Sequence, residues 1–169
     1  YDIDEKKLTE LSGDESRRIV AFDEMGKYTA DAFVAIEDER FESHSGVDIL
    51  RTARAAIEFI LNGGESSFGG STITQQLVKN LMDDDEDEGV AGVERKIREM
   101  SRAVQIEQML SKQQILETYL NLIYMGGGSH TAVYGVEMGA QYYFAKSAKD
   151  LKLEESAFLA GINHIPNAY

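Results

Sequence analysis

Ser111-Lys112-Gln113-Gln114-Ile115-Leu116-Glu117-Thr118-Tyr119-Leu120-Asn121-Leu122-Ile123-Tyr124, with Gly126-Gly127-Gly128 close behind, settles the architectural class of this chain. Ser111 and Gln114 stand at capping-box spacing. Ile115, Leu116, Tyr119, Leu120 and Ile123 recur at helical period and form a wide apolar stripe, so the stretch predicts a core helix through Tyr124, stopped by the glycines. Upstream, Val93, Ile97, Met100 and Val104 cluster on one face of a predicted helix over about 93–110, with Arg95, Glu99 and Arg102 on the other. Downstream, helical patterns run over 133–144 and roughly 153–162. Strand alternation is not evident, and no internal repeat is present.

Further out, Leu50, Ala53, Ile57 and Ile60 give an amphipathic helix over 48–61, ended by Asn62-Gly63-Gly64. The run Gly63 to Gly70 reads as a loop. Thr72 with Gln75 makes a second capping box, after which Ile73, Leu77, Val78 and Leu81 share one side and Gln75, Gln76, Lys79 and Asn80 the other. Residues 1–27 read as an irregular lead-in on the domain edge. The expectation is therefore a mainly α chain, with a lead-in over 1–30 and one domain over 31–169.

Composition narrows the function classes. The chain has 169 residues with 30 Asp plus Glu against 17 Lys plus Arg, a formal charge of -13, which excludes electrostatically driven nucleic-acid binding. With no Cys there is no disulfide framework, thiolate metal site or cysteine nucleophile. No apolar run approaches the roughly 20 residues of a membrane helix. The sequence begins at Tyr1 without a signal pattern, which reads as a piece of a longer chain. Nearly half of the net charge sits in Asp83 to Glu88. An EF-hand reading of that run fails, because the turn position that needs glycine is Glu88.

Two carboxylate settings remain after packing is accounted for. Glu37, Asp38 and Glu39 follow the apolar run Ala32 to Ile36, and such crowding, with partial burial, favours a raised pKa and general-base work. Glu99 is flanked by Arg95, Lys96 and Arg102, which hold it ionised. Lys79, Arg95 and Lys96 are cations suited to a phosphate or pyrophosphate. Together they suggest glycosyl transfer from a phosphate-linked donor.

The string Glu37-Asp38-Glu39-Arg40-Phe41, with His44, Gly46, Val47 and Asp48, resembles the first signature of the peptidoglycan glycosyltransferases, the polymerising domains of class A penicillin-binding proteins and monofunctional transglycosylases. Gly69 to Asn80 resembles the second signature, Arg95-Lys96 with Glu99 the third, Ile115 to Gly126 the fourth, and Gly135 to Gly161 the fifth. The resemblance implies a lysozyme-like α fold, with a larger globular lobe, a smaller membrane-facing lobe and a cleft between them. It implies polymerisation of lipid II with inversion and release of undecaprenyl pyrophosphate, on the outer face of the bacterial cytoplasmic membrane, with an anchor outside this sequence.

Carried onto this chain, Glu37 is the base. Lys79, Arg95 and Lys96 neutralise the donor pyrophosphate, which Glu99 positions directly or through Mg or Mn. Asp38, Ser71, Thr72, Gln75, Gln76 and Asn80 bind substrate. His44 supports the Glu37 turn. The implied partners are lipid II, the growing glycan strand, the membrane surface, a C-terminal transpeptidase domain and the inhibitor moenomycin. Phe59, Ile60, Leu61 and Phe68 are candidates for shallow membrane insertion. The sequence departs from the family at Ala145, where glycine is common, and in a longer stretch over 129–133 that includes His130. Two rivals are a binding module without turnover, which would be free to lose Glu37 and Glu99, and a glycosidase with Glu37 as acid, which needs no cationic cluster.

Overall fold

The computed structural model describes residues 15–62, 70–82, 90–128 and 131–164. The Gly63–Gly69 loop, Phe68, the acidic run, His130 and the side chains of Phe59 and Ile60 lie outside the described residues.

Helices α1 (Thr29–Glu37), α2 (Ile49–Leu61), α3 (Ile73–Met82), α4 (Val90–Met109), α5 (Lys112–Leu122), α6 (Val136–Phe144) and α7 (Leu153–His164) carry most of the described chain. The fold is mainly α, as expected. At its centre lies α5, whose Ile115, Leu116, Tyr119 and Leu120 are buried together with Phe33 of α1, Ile73 and Leu77 of α3, Ala140 of α6 and Leu159 of α7. Its capping box forms as predicted: Gln114 N–H donates to Ser111 Oγ, and Ser111 N–H to Gln114 Oε1 at 2.9 Å.

Three expectations need correction. First, a small sheet is present: β1 (Glu15–Arg17) pairs in parallel with β3 (Thr131–Tyr134), which pairs antiparallel with β2 (Tyr124–Gly128). The glycines after α5 do not simply stop a helix. Gly126 and Gly127 adopt φ of +87° and +152°, and the β2–β3 register shifts between Tyr124 and Gly127, a bulge that glycine accommodates without a Cβ penalty. Accordingly α5 ends at Leu122, and α6 starts at Val136 rather than at Val133, which belongs to β3.

Second, the lead-in packs on the domain as expected, but its described part is not irregular throughout, since it supplies β1. Asn121 of α5 accepts from Val20 N–H at 3.0 Å and donates to Val20 O at 2.9 Å, and Glu117 accepts from Phe22 N–H at 3.1 Å.

Third, α4 faces the core with another side. Ile97 is 60% exposed, while Glu99 and Ala103 are buried. The apolar side of the amphipathic helix α2 is exposed: Leu50, Ile57 and Leu61 are 68%, 57% and 76% exposed. Among the described residues no helix is long and apolar enough to cross a membrane.

Candidate active site

Glu37 is the last residue of α1, and the chain leaves the helix through Asp38. A carboxylate at a helix C-terminus meets the negative end of the macrodipole, so its burial at 6% exposure requires offsetting donors. They come from two other helices. Gln76 of α3 donates from Nε2 to Glu37 Oε2 at 2.8 Å, and Asn163 of α7 donates from Nδ2 to Oε1 at 3.1 Å. The Arg51 guanidinium of α2 donates to the backbone carbonyl of Glu37.

Asp38, the neighbouring acid, has the opposite setting. It is fully buried, and its Oδ2 accepts the first helical N–H of α3, from Ile73, at 3.0 Å. That is the positive end of a helix, where a carboxylate is stabilised. His44 Nε2 lies 3.1 and 2.9 Å from the two Asp38 oxygens, and Nδ1 accepts from Gly46 N–H at 3.2 Å, which leaves Nε2–H to donate to Asp38. Asp38 is thus the joint that fixes α3 against the end of α1, and His44 braces it. Lys112 holds the same turn from α5, donating to His44 O at 2.7 Å and lying 4.2 Å over the Phe41 ring.

The second capping box also forms. Gln75 N–H donates to Thr72 Oγ1 at 3.1 Å, and Thr72 N–H to Gln75 Oε1 at 2.9 Å. Thr72 Oγ1 further donates to Gly46 O at 2.6 Å. Gly46 sits at φ +91° with its Cα against the α4 backbone, where a Cβ would stand 2.6 Å from Ala103 O, so only glycine lets this loop close on α4. Asp38, Thr72 and Gln75 therefore spend their described contacts on holding α3, with Gln75 Nε2 left buried and unpartnered.

Asp48 caps α2, accepting from Arg51 N–H at 3.0 Å and from the Arg40 guanidinium at 2.6 Å. Burial pushes its carboxyl up, but these two hydrogen bonds together with the Arg40 charge outweigh burial and hold it below the usual value. Between the end of α1 and α2 lies a cavity of about 500 Å³ lined by Ile36, Arg40, Asp48, Leu50, Arg51 and Arg54.

Glu99 belongs to a separate cluster. It is 5% exposed, with Lys96 Nζ at 3.0 Å from Oε2 and Arg95 Nε at 3.6 Å from Oε1. Lys96 Nζ also donates to Ser71 Oγ at 2.6 Å, tying α4 to the residue just before the α3 cap. Arg95 Nε and Nη1 are buried with no hydrogen-bond partner among the described residues. Guanidinium donors in that condition are costly unless an anion meets them.

Of the sequence-predicted residues, the structure thus brings Glu37 and Gln76 into one group and Ser71, Arg95, Lys96 and Glu99 into another. Lys79 and Asn80 are exposed on the last turns of α3 and form no side-chain hydrogen bond or ion pair among the described residues. Three participants escaped the sequence reading. Glu107 of α4 accepts from Thr74 Oγ1 at 2.7 Å and from Lys112 at 2.8 Å. Tyr119 passed for a core residue, and Asn163 carried no periodic or spacing signal.

A divalent cation was tested against these donors. Among the described residues no three His, Asp or Glu side chains gather to hold a metal. Glu99 alone fits the mode in which Mg²⁺ is shared between one carboxylate and substrate phosphates.

The family described as Transglycosylase matches residues 4–169. The chain is 40% identical over 172 residues to penicillin-binding protein 1A of Clostridium tetani (strain Massachusetts / E88), covering 100% of this chain and 21% of that protein. Against penicillin-binding protein 1A of Clostridium perfringens (strain 13 / Type A) the identity is 44% over 158 residues, covering 92% of this chain and 22% of the relative. Against penicillin-binding protein 1F of Bacillus subtilis (strain 168) it is 40% over 184 residues, covering 100% and 24%. The chain spans roughly a fifth to a quarter of the length of these relatives. It belongs to the transglycosylase family, the peptidoglycan glycosyltransferases of class A penicillin-binding proteins that its motifs resemble.

Proposed function

We propose that this chain polymerises lipid II by inverting glycosyl transfer, with Glu37 as the general base and the Arg95, Lys96 and Glu99 cluster at the donor pyrophosphate. The observation that carries the reading is the pair of buried carboxylates in unlike company, Glu37 met by neutral amides and Glu99 by cations. A carboxylate held by amide donors can accept a proton from a sugar hydroxyl. The unpartnered Arg95 donors and Lys96 meet the leaving pyrophosphate, whose negative charge grows as the glycosidic bond breaks, and exposed Lys79 adds a further cation. Ser71 and Gln76 are the substrate-side groups nearest these two centres, and Asn80 lies on the exposed turn with Lys79.

Glu99 is the residue that would share a Mg²⁺ or Mn²⁺ with the pyrophosphate, the ion supplying further charge neutralisation when bound. The cavity lined by Arg40, Arg51 and Arg54, next to the exposed apolar side of α2, suits the phosphate and first isoprene units of a lipid-linked acceptor. That apolar side also gives the domain a membrane-facing surface at the outer face of the cytoplasmic membrane. Moenomycin would compete at the same cationic surface, and a transpeptidase domain would complete the longer protein.

The test is turnover of lipid II in detergent by the intact protein, with both polymer and cleavage products examined. Polymer with released undecaprenyl pyrophosphate supports the reading. Cleavage of preformed glycan without polymer favours a glycosidase, and binding without turnover favours a scaffold.

A further inference from the structure

Glu37 is held by more than two amides. Four helices each send one polar side chain to the same point: Glu37 from α1, Gln76 from α3, Tyr119 from α5 and Asn163 from α7. Tyr119 Oη donates to Gln76 Oε1 at 3.1 Å, and Asn163 Nδ2 donates to Tyr119 Oη at 3.2 Å as well as to Glu37 Oε1 at 3.1 Å. Gln76 Nε2 closes the ring on Glu37 Oε2 at 2.8 Å.

The directions of these bonds are determined. Asn163 gives Tyr119 a donor, so the phenolic hydrogen turns to Gln76 Oε1. With Oε1 so occupied, the Gln76 amide must present its NH₂ to Glu37. The reversed amide would set Oε1 against a carboxylate oxygen. Tyr119 is fully buried, and burial together with the negative charge of Glu37 pushes its phenol far up, so it keeps its proton at working pH. Glu37 Oε2 and Oε1 thus each receive an amide N–H from this ring.

We propose that Tyr119 and Asn163 are positioning residues: Asn163 directly, and Tyr119 through Gln76, they orient the Glu37 carboxylate toward the acceptor hydroxyl. The proposal rests on the reading of Glu37 as the base. A general base must hold its lone pair in line with the proton it takes, and an error of about 1 Å in such a group costs on the order of 10²-fold in rate. Neither residue touches the sugar. Their effect therefore falls on the chemical step.

The experiment measures kcat and KM for lipid II polymerisation by the intact protein carrying Tyr119→Phe, Asn163→Ala or Asn163→Asp, each alone and in a Glu37→Gln background with enzyme in excess. Tyr119→Phe and Asn163→Ala should lower kcat about 10- to 100-fold while KM stays within about twofold. Asn163→Asp should cost more than Asn163→Ala, since it sets a carboxylate against Glu37. In the Glu37→Gln background the same changes should add no further loss, because they act through the group already disabled. Thermal melting separates packing from positioning, and Asn163, only partly buried at the end of α7, keeps the test open if Tyr119→Phe unfolds.

Unchanged kcat in both single variants, or losses that multiply with Glu37→Gln, would overturn the cradle while leaving the base in place. A Glu37→Gln protein that polymerises at the parental rate would instead overturn the base.

Discussion

Glu37 and Glu99 are equally buried acids in one small domain, and almost everything around them differs. Glu37 ends α1, faces the unfavourable pole of that helix, and accepts from the side-chain amides of Gln76 and Asn163, both of which also bond Tyr119. Glu99 sits mid-helix in α4, and its charge is answered by Arg95 and Lys96 from its own preceding turn, with Ser71 bridging to α3. A long-range cradle of amides fixes the geometry of the carboxylate. A local cationic cluster holds a charge in place and leaves donors over for an anion. In the function proposed above, the same residue type serves proton transfer in one place and leaving-group binding in the other, and the division follows from the neighbours.

The largest expected effect breaks the comparison on the Glu37 side. Glu37→Gln keeps the side-chain shape but cannot take a proton, so kcat for polymerisation should fall roughly 10²- to 10⁴-fold at unchanged melting temperature. Asp38 is a poor substitute base, since it is fully buried and bound to His44 and Ile73 N–H. Next in size is the Glu99 side. Arg95→Ala removes charge-assisted donors worth about 1.5 to 3 kcal/mol, which should lower kcat/KM for lipid II about 10- to 150-fold, read from initial polymerisation rates. A collapse of thermal stability in that variant would instead make Arg95 a structural ion-pair partner.

Thr72 lies on the helix that links the two centres, between Ser71 and Gln76. Thr72→Ala deletes a cap and leaves the Gly46 carbonyl without its 2.6 Å donor, so stability should drop by about 1 to 2 kcal/mol in denaturant unfolding. Activity should fall at both centres together. The smallest effect is a control remote from both. Ala145 ends α6 at φ +54°, a left-handed conformation that favours glycine. Ala145→Gly should raise stability by about 0.5 to 1 kcal/mol with kinetics unchanged.

How much of this could be read from sequence followed from how local each feature is. Both capping boxes and the α5 stripe are short-range patterns, and they formed as read. The phase of α4 was misread because apolar periodicity placed Ile97 inside, whereas the chain buries Glu99. A helix that turns a functional carboxylate inward violates the pattern used to orient it. The α2 helix formed as read, while an amphipathic stripe shows that a surface is apolar and not what covers it. The sheet escaped because β1 meets β3 across more than a hundred residues and β2 is glycine-rich. Asn163 had no local signal at all. Its role exists only because α7 returns to the end of α1.

The division of labour is tested most directly by titrating inorganic pyrophosphate calorimetrically into the intact protein, Glu37→Gln and Arg95→Ala. The account predicts parental affinity in Glu37→Gln and about tenfold or greater weakening in Arg95→Ala. Affinity lost with Glu37→Gln, or indifferent to Arg95→Ala, would contradict it.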